Sequence, residues 1–112
     1  MITLKGSRYK GEITPPSSKS DAHRALICAA LSNGASHLFN VTLSNDIEAT
    51  LVSLKAMGAD IEFKDNQLFT QPLKNHVKEA TLEVNESGST LRFLIPLSLV
   101  LNRVNTILTC IR

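Results

Sequence analysis

The pair Pro15-Pro16, followed at once by an unbroken helical pattern, constrains this chain more than any other feature. Two prolines close whatever precedes them, because each lacks a backbone N–H and fixes φ. From Asp21 to Leu31 the apolar positions Ala22, Ala25, Leu26, Ala29 and Ala30 recur at helical spacing, and Asn33-Gly34 supplies the stop. Lys19-Ser20 therefore stands at a helix amino end. The first N–H groups of a helix have no partner inside it, and the macrodipole there favours an anion. Arg24 lies four residues after Ser20, on the same face and one turn deeper. A hydroxyl, an ammonium and a guanidinium are expected to converge on a phosphorylated or carboxylated small molecule. Cations in a first turn oppose the dipole, and few acids balance them here, so an external anion is expected to complete the site.

The same design returns 68 residues later. That shift puts Arg24 on Arg92, Leu26 on Leu94, Ile27 on Ile95, Leu31 on Leu99 and Ser20 on Gly88. Ser87-Gly88-Ser89 opens a helix expected to run to about Leu101, and Gly88 would let a ligand approach the backbone closely. Pro96 is expected to kink that helix, since its ring presses on the carbonyl of Arg92. Between the two, Ser44-Asn45-Asp46 reads as a further helix start with Asp46 as the cap. Ile47, Leu51 and Leu54 give its apolar stripe, and Gly58 ends it. An acid near two cationic sites could also position them or accept a substrate hydroxyl.

Short strands are expected at 2–5, 9–13, 36–41, 59–63, 67–71, 81–84 and 104–109. A hairpin turns at Lys64-Asp65-Asn66, a polar connection covers 72–79, and Asn102-Arg103 makes a last turn. The fold class is α/β (α+β): one β-α-β-α-β-β unit followed by the start of a second. Residues 1–13 give N-terminal strands, 14–84 the first unit and 85–112 the beginning of the second.

At 112 residues this is one small domain or a piece of a larger one. A net charge of +2, from 12 basic and 10 acidic residues, is too weak and too scattered for a nucleic-acid partner. With no Trp, one Tyr and four Phe, the core must be filled by Leu, Ile, Val and Ala. Cys28 and Cys110 have no metal-ligand spacing, and Cys28 reads as a buried thiol. His23, about 100° round the helix from Arg24, borders the expected pocket. His37 and His76 read as plain surface or strand positions. Glu62 and Asp65 read as solvated hairpin positions. Residues 1–6 show no secretory signal, and Pro96 and Arg103 bracket or interrupt the longest apolar stretch. The expectation is a cytoplasmic protein with no membrane partner, no metal and no cofactor. A P-loop is excluded as the reading of Lys19-Ser20, because Ser18 precedes the lysine and Ile13 stands where the first glycine belongs.

Three segments together carry a resemblance: Pro16-Ser17-Ser18-Lys19-Ser20-x-x-x-Arg24-Ala25-Leu26, then Ser44-Asn45-Asp46, then Glu86-Ser87-Gly88-Ser89-Thr90-Leu91-Arg92. They resemble the N-terminal part of the enolpyruvylshikimate-phosphate synthase family, which reads P-G-S-K-S-x-x-x-R-A-L, S-D-D and N-A-G-T-x-x-R or a variant. The resemblance covers nearly all of this chain and about a quarter of the family's length. It implies part of an inside-out α/β barrel domain, with residues 1–13 belonging to the other domain. It implies transfer of the enolpyruvyl group of phosphoenolpyruvate to the 5-hydroxyl of shikimate 3-phosphate. Lys19 then matches the lysine touching both substrates, and Ser20 and Arg24 match ligands of shikimate 3-phosphate. Gly88, with Ser89 and Arg92 beside it, matches the phosphoenolpyruvate seat, and Asp46 matches a site-lining aspartate.

Two departures stand out. Ser17 replaces the usual glycine, and Glu86 replaces a common asparagine, an added carboxylate that opposes an anion unless it points away. The family continues T-G-x-x-R where this chain reads Thr109-Cys110-Ile111-Arg112, with another arginine and a whole domain beyond. The resemblance thus implies negligible activity alone, an uncovered apolar face and self-association as one remedy. The related UDP-N-acetylglucosamine enolpyruvyl transferases carry Lys-Asn and lack the following arginine, so Arg24 argues against them. A non-catalytic anion-binding module is the remaining alternative.

Overall fold

A serine caps each of three helices, and this repeated device sets the architecture. The computed structural model describes residues 1–3, 5–6, 8, 10–73, 77–101 and 105–109, with the side chains of 105–108 left aside. Helix α1 (Lys19–Leu31) is capped by Ser18, α2 (Asn45–Ala56) by Ser44 and α3 (Gly88–Val100) by Ser87. In each case the serine hydroxyl accepts the N–H of the third helical residue: Asp21, Ile47 and Thr90. This satisfies one of the four orphan donors at each amino end. The cap of α2 is therefore Ser44 and not Asp46. A cap needs extended φ/ψ, which Ser44 adopts, whereas Asp46 is already helical.

Helix α2 is central. It buries Ile47, Ala49, Thr50, Leu51, Ser53 and Leu54, more than one stripe, because other elements flank it on several sides. Its end follows from Gly58, which takes φ 96°. The Gly58 N–H reaches the Lys55 carbonyl (2.9 Å) and the Ala59 N–H reaches that of Leu54 (3.0 Å). That pairing closes the last turn with glycine in the left-handed region.

Three antiparallel strands, β1 (Ser36–Leu38), β2 (Asp60–Lys64) and β3 (Gln67–Gln71), form a sheet in the order β1-β3-β2. Asp65 and Asn66 take φ 50° and 58°, the two left-handed positions that a tight hairpin needs and that Asp and Asn tolerate. Strand β1 stops short of the expected Val41 because Asn40 takes φ 55°, which no strand accommodates. Strands β4 (Glu79–Glu83) and β5 (Asn105–Thr109) pair in parallel, with α3 as the crossover between them. Alternation places Ala80 and Leu82 inward, where they join Leu26, Ile47, Leu54, Met57, Ile61, Leu68 and Leu94 in one core.

Other expectations need correction. The described residues among 1–13 are exposed and carry no strand, since a strand needs a hydrogen-bonding neighbour and none of the described strands pairs with them. Leu4, Ser7 and Tyr9 lie outside the described residues, as do His76, Cys110, Arg112, Val104 and the turn at Asn102-Arg103. Cys28 is exposed rather than buried. The inward face of α1 is set by His23, Leu26, Ala29 and Ala30, and Cys28 falls between those positions. Helix α3, as expected, holds Pro96 within it and runs to Val100 with Leu101 as its cap. Its outer side leaves Ile95, Leu99 and Val100 uncovered, the last two at 75% and 80% exposure. Among the described residues no helix is long and apolar enough to cross a membrane.

Candidate functional site

The amino ends of α1, α2 and α3 meet. Lys19, the first residue of α1, forms an ion pair with the Asp46 carboxylate in the first turn of α2. The backbone carbonyl of Asp46 accepts from Thr50 Oγ1 (3.1 Å) and from Thr90 Oγ1 (3.2 Å), the latter in the first turn of α3. Thr50 and Thr90 also touch each other, at 2.8 Å, and Thr90 meets Ser87 Oγ at 2.6 Å. Lys19, Asp46, Gly88 and Ser89 are thereby brought to one region by a buried set of hydroxyls.

The capping serines claim the third and fourth amides of each helix, so the first two have no described acceptor: Lys19 and Ser20 on α1, Gly88 and Ser89 on α3. These are the groups that hold an anion at a helix end. Helix α3 suits one best, having no acidic residue in its first turn, while α2 carries Asp46 and Glu48 there. Arg92 is exposed, and its side chain has no ion pair among the described residues.

Gly88 is informative through what does not require it. Its φ is not in the left-handed region, and a Cβ built on it would meet nothing within 4 Å. Neither backbone strain nor packing inside this chain calls for glycine there. What a Cβ would obstruct is something resting on the backbone from outside.

Two expected convergences take a different form. Arg24 does not join Lys19 and Ser20; its guanidinium pairs with Asp21 on the solvent side of α1. The Arg24 bond, then that from Ser18, hold the Asp21 carboxyl below its ordinary value. The two cations of α1, Lys19 in the first turn and Arg24 in the second, are thus each balanced by a carboxylate, Asp46 for Lys19 and Asp21 for Arg24. Of the three candidate site cations, Lys19, Arg24 and Arg92, the argument from unbalanced charge therefore rests on Arg92.

Glu86 is exposed and lines an acidic cleft of about 650 Å³ with Glu48, Glu83 and Asp46. None of Lys19, Ser20, Arg24, Gly88, Ser89 or Arg92 lines that cleft, but Asn45, Asp46 and Ser87 do, so Glu86 shares it with the amino ends of α2 and α3. Ser17, the other departure, donates to Thr42 Oγ1 at 2.8 Å and accepts from the Thr42 N–H at 3.3 Å. It ties the approach to α1 to the loop before α2.

Sequence reasoning did not anticipate Thr50 and Thr90. Both are fully buried polar residues; Thr90 lies in the first turn of α3 and Thr50 in the second turn of α2. A threonine on an inward face within the first two turns after a cap was the available signal. His23 is buried rather than at a pocket border, with Nδ1 2.9 Å from Thr50 Oγ1.

A sequence profile of EPSP synthase (3-phosphoshikimate 1-carboxyvinyltransferase) matches residues 4–109. The chain belongs to the EPSP synthase family. A 3-phosphoshikimate 1-carboxyvinyltransferase of Clostridium perfringens is 46% identical over 110 residues, covering 95% of this chain and 26% of that protein. The enzyme of the same name from Clostridium kluyveri is 46% identical over 101 residues, covering 89% of this chain and 24% of its own length. A solved EPSP synthase from Acinetobacter baumannii superposes with a TM-score of 0.65 at 29% identity, over 75% of this chain and 20% of that one. The mixed helix and strand architecture is thus a part of the larger EPSP synthase fold. The chain spans about a quarter of the length of the curated relatives it matches.

Proposed function

We propose that this chain supplies part of the substrate site for enolpyruvyl transfer from phosphoenolpyruvate to the 5-hydroxyl of shikimate 3-phosphate. The observation that carries the reading is the junction of three serine-capped amino ends, with Gly88 left bare for no reason internal to the chain. Both substrates are anions, and free amides and cations are what such chemistry requires. In this reading the amides of Gly88 and Ser89, with Arg92, seat phosphoenolpyruvate. Lys19 touches both substrates and is the catalytic residue, Ser20 and Arg24 bind the shikimate phosphate, and Asp46 lines the site. The substrate hydroxyl adds to the enol carbon to give a tetrahedral intermediate, and phosphate leaves by C–O cleavage. An anion must draw Lys19 from Asp46 and Arg24 from Asp21, which keeps affinity low until both substrates are present.

Residues 14–84 serve here as a first β-α-β-α-β-β unit and 85–112 as the start of a second, with 1–13 joining the other domain. The partner is the remaining part of the enzyme, and turnover by this chain alone is negligible. Copies of the chain self-associate through the uncovered side of α3. Both substrates are phosphorylated and cross membranes poorly, which places the reaction in the cytoplasm.

The test is a titration of the labelled chain with shikimate 3-phosphate and then phosphoenolpyruvate, followed by amide NMR. Shifts centred on Ser20, Gly88 and Ser89 are expected. Shifts confined to Glu48, Glu83 and Glu86, or a response only to a UDP-sugar, would refute the assignment.

A further inference from the structure

His23 has one ring nitrogen engaged and the other buried with no hydrogen-bond partner among the described residues. The side chain is 1% exposed. It closes a ring built from one turn of each helix: Lys19 and His23 on α1, Asp46 and Thr50 on α2, Ser87 and Thr90 on α3. Because Lys19 and His23 lie four residues apart, as do Asp46 and Thr50, the ring fixes both the spacing and the rotation of the helix ends.

Counting protons assigns the tautomer. Five contacts join His23 Nδ1, the three hydroxyls and the Asp46 carbonyl. The hydroxyls of Ser87, Thr50 and Thr90 bring one proton each. With Nδ1 protonated a fourth is available. His23 and Thr90 then donate to Thr50, Thr50 donates to the Asp46 carbonyl, and Ser87 donates to Thr90. Only the longest hydroxyl–carbonyl contact, from Thr90 at 3.2 Å, goes without a proton. With Nε2 protonated instead, one more contact fails and a buried N–H has no acceptor, the costlier arrangement.

We propose that His23 is a positioning residue: its neutral imidazole, protonated on Nδ1, locks the amino ends of α1, α2 and α3 in register, and protonation at Nε2 releases that lock. The inference rests on the anion-site reading above and adds its regulation. A protonated Nε2 has no acceptor within the ring, so the charged imidazole must leave Thr50 to reach one. Lys19 on α1 opposes the charge, and burial opposes it more, which together lower the His23 pKa. The other charged groups nearby are the Asp21–Arg24 pair on α1, Asp46 on α2 (its carboxylate committed to Lys19) and Arg92 beside Phe93 on α3. The Phe93 ring lies 6.3 Å from the His23 ring. The sheet behind α1 presents Leu68 and Thr70, which do not titrate.

The sign is what makes this testable. A histidine acting as a cationic ligand would tighten anion binding on acidification, whereas a neutral lock loosens it. The probe is sulfate, a dianion throughout this range, added to the labelled 112-residue chain at about pH 7.5 and about pH 5.5. Sulfate affinity is expected to fall about tenfold for each pH unit below the His23 pKa, as the competent fraction falls. His23→Asn keeps a donor near the Nδ1 position and does not titrate, so it should flatten that dependence to within about twofold. In the anion-free chain the amides of Asp46 and Gly88 should titrate together with the His23 ring, and Thr50→Val should uncouple them. Tighter sulfate binding at low pH, or the same dependence in His23→Asn, overturns the proposal. Failure of the anion reading shows separately, as sulfate moving no resonance while the Asp46 and Gly88 amides still follow His23; amides that ignore His23 overturn the lock itself.

Discussion

Replacing Gly88 by alanine separates ligand binding from folding more cleanly than any other single change. Gly88 is the first residue of α3, is exposed, and has open space where a Cβ would stand. Alanine therefore introduces no clash and no strain. It restricts the unfolded chain, which stabilises a compatible site by about 0.4–1 kcal/mol. For a domain of this size that raises the melting temperature by a few degrees, at about 4–8 °C per kcal/mol. An anion held on the Gly88 and Ser89 amides would sit about 2.9 Å from each nitrogen. The added methyl crowds that position and forfeits at least one charge-assisted hydrogen bond, about 1.5–3 kcal/mol. Affinity for phosphoenolpyruvate should then fall about 10- to 150-fold.

The assay pairs thermal denaturation by circular dichroism with amide NMR titration on the same sample. A melting temperature that holds or rises, together with lost affinity, is the expected result. Unchanged affinity would refute the reasoning, because it would leave the bare backbone at Gly88 with no ligand to accommodate. A falling melting temperature would contradict the open space around it.

Asp46→Asn should tighten phosphate binding up to about fivefold, since it removes the half-buried competitor for the exposed Lys19, an ion pair at the surface worth about 0.2–1 kcal/mol; isothermal titration reads this directly. Leu54→Ala, at a residue 1% exposed in the central helix, should cost about 2–5 kcal/mol in urea unfolding. The His23 pKa is lowered by burial first and by Lys19 second. Its folded value therefore lies below its unfolded one near 6.5, so its contribution is complete above about pH 6.5 and is lost as pH falls through the folded value. Urea midpoints measured against pH should show that loss, and His23→Asn should remove it.

Much of this fold is written in local signals. Ser18, Ser44 and Ser87, the spacing of Ile47, Leu51 and Leu54, the left-handed Gly58 and the Asp65-Asn66 turn each specify structure within a few residues. The misreadings concern long-range partners. Residues 1–13 alternate well enough for strands, but strand formation is decided by a neighbour that sequence pattern does not supply. Arg24 pairs with Asp21 three residues before it on the same helix, a contact that the spacing alone makes readable. The Lys19–Asp46 pair and the Thr50–Thr90 contact join residues 27 and 40 positions apart, and no spacing rule reaches so far.

The two matching helices are not equivalent, and the difference bears on the site. Their inward faces keep the 68-residue frame: Leu26, Ala29 and Ala30 are buried, as are Leu94, Leu97 and Ser98, while Arg24 and Arg92 both face out. Their capping serines, however, stand 69 residues apart. Helix α1 thus begins one residue earlier in the shared frame, and that additional residue is Lys19, opposite the cap Ser87 of α3. One amino end gains an ammonium able to reach across to α2, and the other begins with a glycine that leaves its backbone open. Two like helices so arranged present different chemistry to two different anions. Lys19→Met should therefore weaken both substrates, whereas Gly88→Ala should act on phosphoenolpyruvate alone, and separate titrations of the two variants distinguish this asymmetry from a symmetric pair of anion seats.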